Sequence, residues 1–175
     1  MQSVKVVITG PFNAGKTTFI KAVSEITVLS TERQVSDTSG EGSGETTVAM
    51  DFGRITVSDD VVLYLFGTPG QERFSFMWET LSEGMLGFVL LVDAEDEDSF
   101  EDARSMIAFF RNMSDVPFVV AANKVLATDI KKLRQVRSAI ALEDAIPLLP
   151  VDAREKESVK AVLLGLLYRI LDNMS

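Results

Sequence analysis

Eight residues near the start of the chain, Gly10-Pro11-Phe12-Asn13-Ala14-Gly15-Lys16-Thr17, have the types and spacing of a loop that holds phosphate. The pattern G-x-x-x-x-G-K-[ST] turns successive backbone N–H groups onto phosphate oxygens, and a helix opening at its end adds a favourable dipole. Gly15 permits close backbone approach and Lys16 sets a positive charge against the outer phosphates. Thr17 offers a hydroxyl to Mg2+, an ion that keeps waters and phosphate oxygens as its other ligands. Gly10, Asn13, Ala14, Gly15, Lys16, Thr17 and Thr18 are therefore the candidate positions for the phosphate end of a ligand. Phe12 is bulkier than such loops often carry. It either shields the terminal phosphate or packs beneath the neighbouring loop, and packing is the expectation.

Such a loop needs a strand before it and a helix after it. Val4–Thr9 is a β-branched apolar run that reads as a buried strand, and Phe19, Ile20 and Val23 give a helix over about 16–25 its apolar stripe. Residues 27–46 show no period and hold the flexible run Ser39-Gly40-Glu41-Gly42-Ser43-Gly44. Strands are predicted at 48–57 and 61–66 around the turn Ser58-Asp59-Asp60, and at 87–92, 116–122 and 148–151. Helical spacing links Phe100, Ala103, Ile107 and Phe110; then Ile130, Leu133, Val136 and Ile140, interrupted by Arg137; then Val159, Val162, Leu163, Leu166 and Ile170. Strands alternating with helices imply an α/β fold with a mostly parallel sheet covered on both faces, ligands binding at the carboxyl ends of the strands. Neither a repeat nor a linker divides residues 1–175, so a single domain is expected.

Composition narrows the chemistry. With 46% hydrophobic and 25% charged residues the chain is globular rather than disordered, and a net charge of −9 argues against nucleic acid or an anionic membrane as partner. Cysteine and histidine are both absent, which excludes disulfides, prenyl and palmitoyl anchors, and Ser-His-Asp or Cys-His catalysis. Met1-Gln2-Ser3 leads straight into a strand, so neither a signal peptide nor a myristoylation site is expected, and a cytoplasmic location is the default.

Further segments resemble a known family. Thr47-Val48-Ala49-Met50-Asp51-Phe52 is similar to the T-x-G-x-D-F run of the first switch of Ras- and Rab-like small GTPases, and Gly67-Thr68-Pro69-Gly70-Gln71-Glu72-Arg73-Phe74 to their D-T-A-G-Q-E-R-F second switch. Asn123-Lys124 resembles the start of N-K-x-D, and Asp152-Ala153-Arg154 sits where the family has S-A-K. These segments follow the family's order from Lys5 to about Arg154, most like bacterial and archaeal proteins of the MglA type. The resemblance implies a P-loop NTPase of Ras-like three-layer fold with six strands, binding GTP or GDP with Mg2+ and hydrolysing GTP slowly. It implies roles for Thr47 in Mg2+ coordination, for Gly70 on the γ-phosphate and for Gln71 in orienting the attacking water. Asn123 would hold the base and brace the phosphate loop, the Lys124 stem would lie over the ring, and Ala153, beside Arg154, would offer its N–H to the guanine carbonyl. Lys16 and Gln71 are the implied catalytic residues. Regulatory or effector proteins are expected at residues 30–50 and 68–80.

Three departures from that pattern bear on its chemistry. Gly67 stands where the second switch has an aspartate; Asp51 and Asp93 are the carboxylates that could compensate, and nothing in the sequence places either there. Leu126 replaces the aspartate of N-K-x-D and accepts no hydrogen bond, which leaves ATP open beside GTP; Asp129 would reach the base only through a rearranged loop. Thirty-one positions separate Lys16 from Thr47, the excess being the Gly/Ser/Glu stretch, read either as a mobile lid or as a tolerated insertion. Without an arginine just before Thr47, Arg33, Arg54 and Arg73 are weak candidates for a charge supplied in cis, and one supplied by a partner is expected. Phe74, Met77, Trp78 and Leu81 share a helical face that reads as core, leaving Phe76 as a candidate partner contact. Beside a GTP-driven switch stand a non-catalytic nucleotide-binding scaffold, favoured by Gly67 and Leu126, and an ATP-binding protein, favoured by Leu126.

Overall fold

The computed structural model describes residues 2–37, 44–71 and 74–174, with the backbone alone described for 30–37 and 44–49. One sheet runs through the molecule in the order β2-β3-β4-β1-β5-β6-β7. Its strands are β1 (Gln2–Thr9), β2 (Leu29–Asp37), β3 (Gly44–Ser58), β4 (Val61–Gly67), β5 (Gly87–Asp93), β6 (Phe118–Asn123) and β7 (Leu148–Val151). The helices are α1 (Lys16–Val23), α2 (Phe76–Ser82), α3 (Phe100–Met113), α4 (Ile130–Ala139) and α5 (Lys156–Met174). β4, β1, β5, β6 and β7 pair in parallel, while β2–β3 and β3–β4 are antiparallel.

All six strands anticipated from the residue pattern are present, and β2 makes a seventh. Its residues Leu29-Ser30-Thr31-Glu32-Arg33-Gln34-Val35-Ser36-Asp37 pair in continuous register with β3, Leu29 opposite Phe52 and Asp37 opposite Gly44. Residues 29–37 and 44–46 of the stretch read as aperiodic are therefore paired strand, while 38–43, with most of the run read as flexible, lie outside the described residues.

The parallel strands split their side chains by alternation. Val6 and Ile8, Val89 and Leu91, and Val119 and Ala121 point to one face, where α1 contributes Phe19, Ile20 and Val23 and α5 contributes Val162, Leu163 and Leu166. Val7, Phe88, Leu90 and Val92, with Val120 and Ala122, point to the other, under Trp78 of α2, Met106 and Phe110 of α3, and Val136 of α4. Ile130, placed by spacing on the stripe of α4, is exposed, and Arg137 breaks that stripe because its guanidinium donates to the carbonyls of Glu143 and Ile146 beyond the helix. Among the described residues no helix is long and apolar enough to cross a membrane.

Candidate functional site

The carboxyl ends of β1, β4, β5, β6 and β7 converge on the loop between β1 and α1. That loop is bent by three left-handed residues: Gly10 (φ 146°), Asn13 (φ 66°) and Gly15 (φ 108°). Asparagine tolerates such a conformation better than most side chains, which accounts for the residue at 13. A side chain at Gly10 is excluded, since a Cβ would stand 2.2 Å from the carbonyl oxygen of Leu91. Gly15 precedes α1 without any side-chain cap, so the first N–H groups of the helix face the loop's interior, as an anion site requires. Phe12, expected to pack, is 57% exposed: the bend turns its side chain outward.

Lys16 lies inside this bend. Its Nζ donates to the carbonyls of Gly10 (2.7 Å) and Pro11 (2.8 Å). Burial pushes its pKa down to about 8, opposed by the negative charge of Asp51. Beside it the Thr17 hydroxyl donates to Oδ2 of Asp51. A hydroxyl and a carboxylate are hard oxygen donors, the chemistry that suits Mg2+.

The segment after β4 closes over the loop and is held at each step. Thr68 continues the strand ladder through its N–H to Ile8 O (3.0 Å), and its hydroxyl donates to that of Thr9 (2.8 Å). The carbonyl of Pro69 accepts from the indole Nε1 of buried Trp78 (2.7 Å). Gly70 then meets the loop itself: a Cβ there would stand 2.6 Å from Phe12 N and 2.7 Å from Lys16 Nζ. Gln71 follows, half-buried. Phe74 and Trp78 are buried as their spacing predicts, with Met77 and Leu81 half-buried, and Phe76 is 50% exposed.

On the other side of the loop a cavity of about 540 Å3 opens between Asn13, Gly15 and Thr18, the Asn123–Leu126 turn, and Ala153 with Arg154. Asn123 joins these parts. Its Nδ2 donates to Ala14 O (3.1 Å), and its Oδ1 accepts from the N–H groups of Lys124 (3.0 Å) and Ala153 (3.1 Å). Gly15 is needed for this approach, because a Cβ would come within 2.8 Å of Asn123 Nδ2. Lys124 adopts φ 69° and ties its Nζ to Asp93 (2.8 Å), which raises the lysine pKa. The Asp152 carboxyl is held down to about 2 by the hydrogen bonds and charge of Arg154. A second cleft, of about 470 Å3, is lined by residues 114–118 and the end of α5, at the amino end of β6. It lies away from the strand ends where ligands bind in open α/β sheets.

Several expectations need correction. Thr47 pairs through its backbone with Gln34 and lies four residues along β3 from the Asp51 that meets Thr17, or about 13 Å at the rise of a strand. Its side chain, like that of Arg33, is outside the described residues, as is Arg73 altogether. The Arg54 backbone lies away from the phosphate loop, its main-chain N–H meeting Ser24 Oγ just past the far end of α1 (3.1 Å). The Ala153 N–H is given to Asn123 rather than turned freely to the cavity. Asp129 does not reach the cavity; its carboxylate caps α4 by accepting from the Lys132 N–H (3.0 Å), while Leu126 is 75% exposed at the rim. Asp93 serves Lys124 and the Glu95 N–H (2.9 Å), not the phosphate end.

Sheet order, phosphate loop and the closing Thr68–Gly70 segment together define a P-loop NTPase with a Ras-like fold. The chain belongs to the family described as conserved hypothetical ATP binding proteins, whose model matches residues 8–173. It is similar to an uncharacterized protein of Methanocaldococcus jannaschii, 30% identical over 127 residues that make up 73% of each chain. It is also similar to the GTP-binding protein YPTM2 of Zea mays, 27% identical over 145 residues, 74% of this chain and 66% of that one. The Ras-related protein RABD2a of Arabidopsis thaliana is 27% identical over 146 residues, 80% of this chain and 72% of that one.

Proposed function

We propose that this protein is a Mg2+-dependent molecular switch that binds GTP and hydrolyses it slowly. The observation that carries the reading is the approach of Gly70 to Lys16 and Phe12, so close that no Cβ would fit between them, because any group seated at the phosphate end bears directly on the segment leading to α2. The similarity to Rab- and Ypt-type GTP-binding proteins supports it.

In this reading Gly10, Asn13, Ala14, Gly15 and Thr18 surround the phosphates with backbone N–H groups, Lys16 neutralises the outer ones and Thr17 is the loop's ligand for Mg2+. The ion, when bound, neutralises charge developing on the phosphate oxygens. Gly70 directs its N–H to the terminal phosphate, and Gln71, next to it, orients the attacking water. Asn123, Lys124, Ala153 and Arg154 form the base end. Thr47 would join the metal site only after the edge hairpin rearranges, a change that suits a segment read by effectors. Residues 30–50 and 68–80 are the partner surface, and an arginine supplied by that partner would raise turnover.

A second reading, an ATP-binding protein, is favoured by Leu126 and Asp129. Neither offers the cavity a carboxylate for guanine, and the family's description names ATP. Competition of GTP and ATP against a fluorescent nucleotide, with and without Mg2+, separates the two. The switch reading fails if ATP competes more tightly than GTP. A scaffold without chemistry would show no phosphate release even with a partner present.

A further inference from the structure

Asp51 and Gly67 face one another across the antiparallel β3–β4 pair. A Cβ built on Gly67 would lie 3.3 Å from Asp51 Cβ and 3.5 Å from Asp51 Oδ2. The Asp51 side chain thus lies beside the place where a side chain at 67 would begin, next to Ile20 Cδ1 (3.0 Å), and from there its carboxylate takes the hydrogen bond of the Thr17 hydroxyl. Its negative charge also acts on Lys16. In P-loop NTPases Mg2+ is held by the loop's Ser or Thr together with a carboxylate from a strand end. Here β4 ends in glycine at that point, and β3 brings a carboxylate to the same place.

We propose that Asp51, delivered from β3 in place of a residue on β4, is the carboxylate of the Mg2+ site. The proposal rests on the Mg2+-dependent nucleotide reading above. Charge gives it a second consequence. A carboxylate at the phosphate end repels a triphosphate unless a divalent cation stands between them. Asp51 therefore makes nucleotide binding more dependent on Mg2+, strengthening it with the ion and weakening it without.

The test follows a fluorescent, hydrolysis-resistant GTP analogue during Mg2+ titration of the wild type, Asp51→Ala, Asp51→Asn and the double variant Asp51→Ala/Gly67→Asp, with thermal melts to confirm folding. Both single variants should raise the half-saturating Mg2+ concentration about 10–100-fold, the size typical of groups that support a metal from outside its direct ligands. Without Mg2+, Asp51→Ala should hold the analogue at least as tightly as the wild type. The double variant, with its carboxylate returned to β4, should recover much of the Mg2+ response. An unchanged midpoint in Asp51→Ala overturns the proposal. So does wild-type behaviour in Asp51→Asn, which would reduce Asp51 to a hydrogen-bond partner of Thr17. A wild type that binds the analogue without regard to Mg2+ overturns the metal reading as well, and one that does not bind it overturns the switch reading itself.

Discussion

The Asn123 side-chain amide donates to the carbonyl of Ala14 across 3.1 Å, joining the end of β6 to the middle of the phosphate loop. Through Oδ1 the same side chain also receives the N–H groups of Lys124 and Ala153. One buried amide thus holds both ends of the cavity in register, and its loss leaves buried polar groups unpaired, each costing about 1–3 kcal/mol. Asn123→Ala should lower unfolding stability by at least about 2 kcal/mol on that scale and speed nucleotide release. Denaturant unfolding and stopped-flow displacement check the two effects. A variant as stable as the wild type would deny the amide this role.

Lys16 must be charged to meet phosphate, yet burial holds its pKa at about 8 in the structure. Below pH 8 the lysine is already protonated and binding is unpenalised. Above pH 8 binding must first add a proton, so affinity falls by up to about tenfold per pH unit until the pKa of the bound form is reached. Equilibrium titrations from pH 7 to 9.5 should show this slope, and a flat profile would remove it. Lys16→Ala should abolish binding at every pH.

Gln71→Leu should slow phosphate release by about 10²-fold, the typical loss when a reacting group is mispositioned, while leaving nucleotide affinity unchanged. Single-turnover phosphate release beside an affinity measurement separates the two. Equal turnover in variant and wild type would end the water-orienting role.

Leu126→Asp would restore an acceptor at the rim of the cavity. A hydrogen bond to a charged group contributes about 1.5–3 kcal/mol, so preference for GTP over ATP should rise roughly 10–100-fold. Competition binding with both nucleotides reads this directly, and an unchanged ratio would show that position 126 does not face the base.

Trp78 is the one tryptophan of the sequence, and its indole holds the Pro69 carbonyl two bonds of chain from Gly70. Its fluorescence should change on loading with nucleotide and Mg2+. Trp78→Phe keeps the ring but orphans a buried carbonyl, and should cost about 1–3 kcal/mol in urea unfolding.

How much of this was legible in the sequence follows the range of the interactions. The phosphate loop was, because strand, glycines, lysine and helix lie within twenty residues and each has a local reason to be there. The buried face of Phe74 and Trp78 was, since helical spacing alone sets it. The strand β2 was not: an edge strand needs only one ladder of hydrogen bonds, so its polar residues show no alternating apolar face. The position of Asp51 was hidden for a different reason. It depends on the register of β3 against β4, and nothing within either strand records which residue lies opposite Gly67.

The sheet also acts as a partition. α1, the helix that opens from the phosphate loop, shares one face with α5, while α2, α3 and α4 share the other, and among the described residues the strands separate the two apolar layers. A partner that draws α2 outward would therefore thin one layer and leave the layer anchoring the nucleotide whole. Amide hydrogens of α2 should then exchange with solvent well before those of α1, allowing the molecule to change the surface it shows without releasing what it holds.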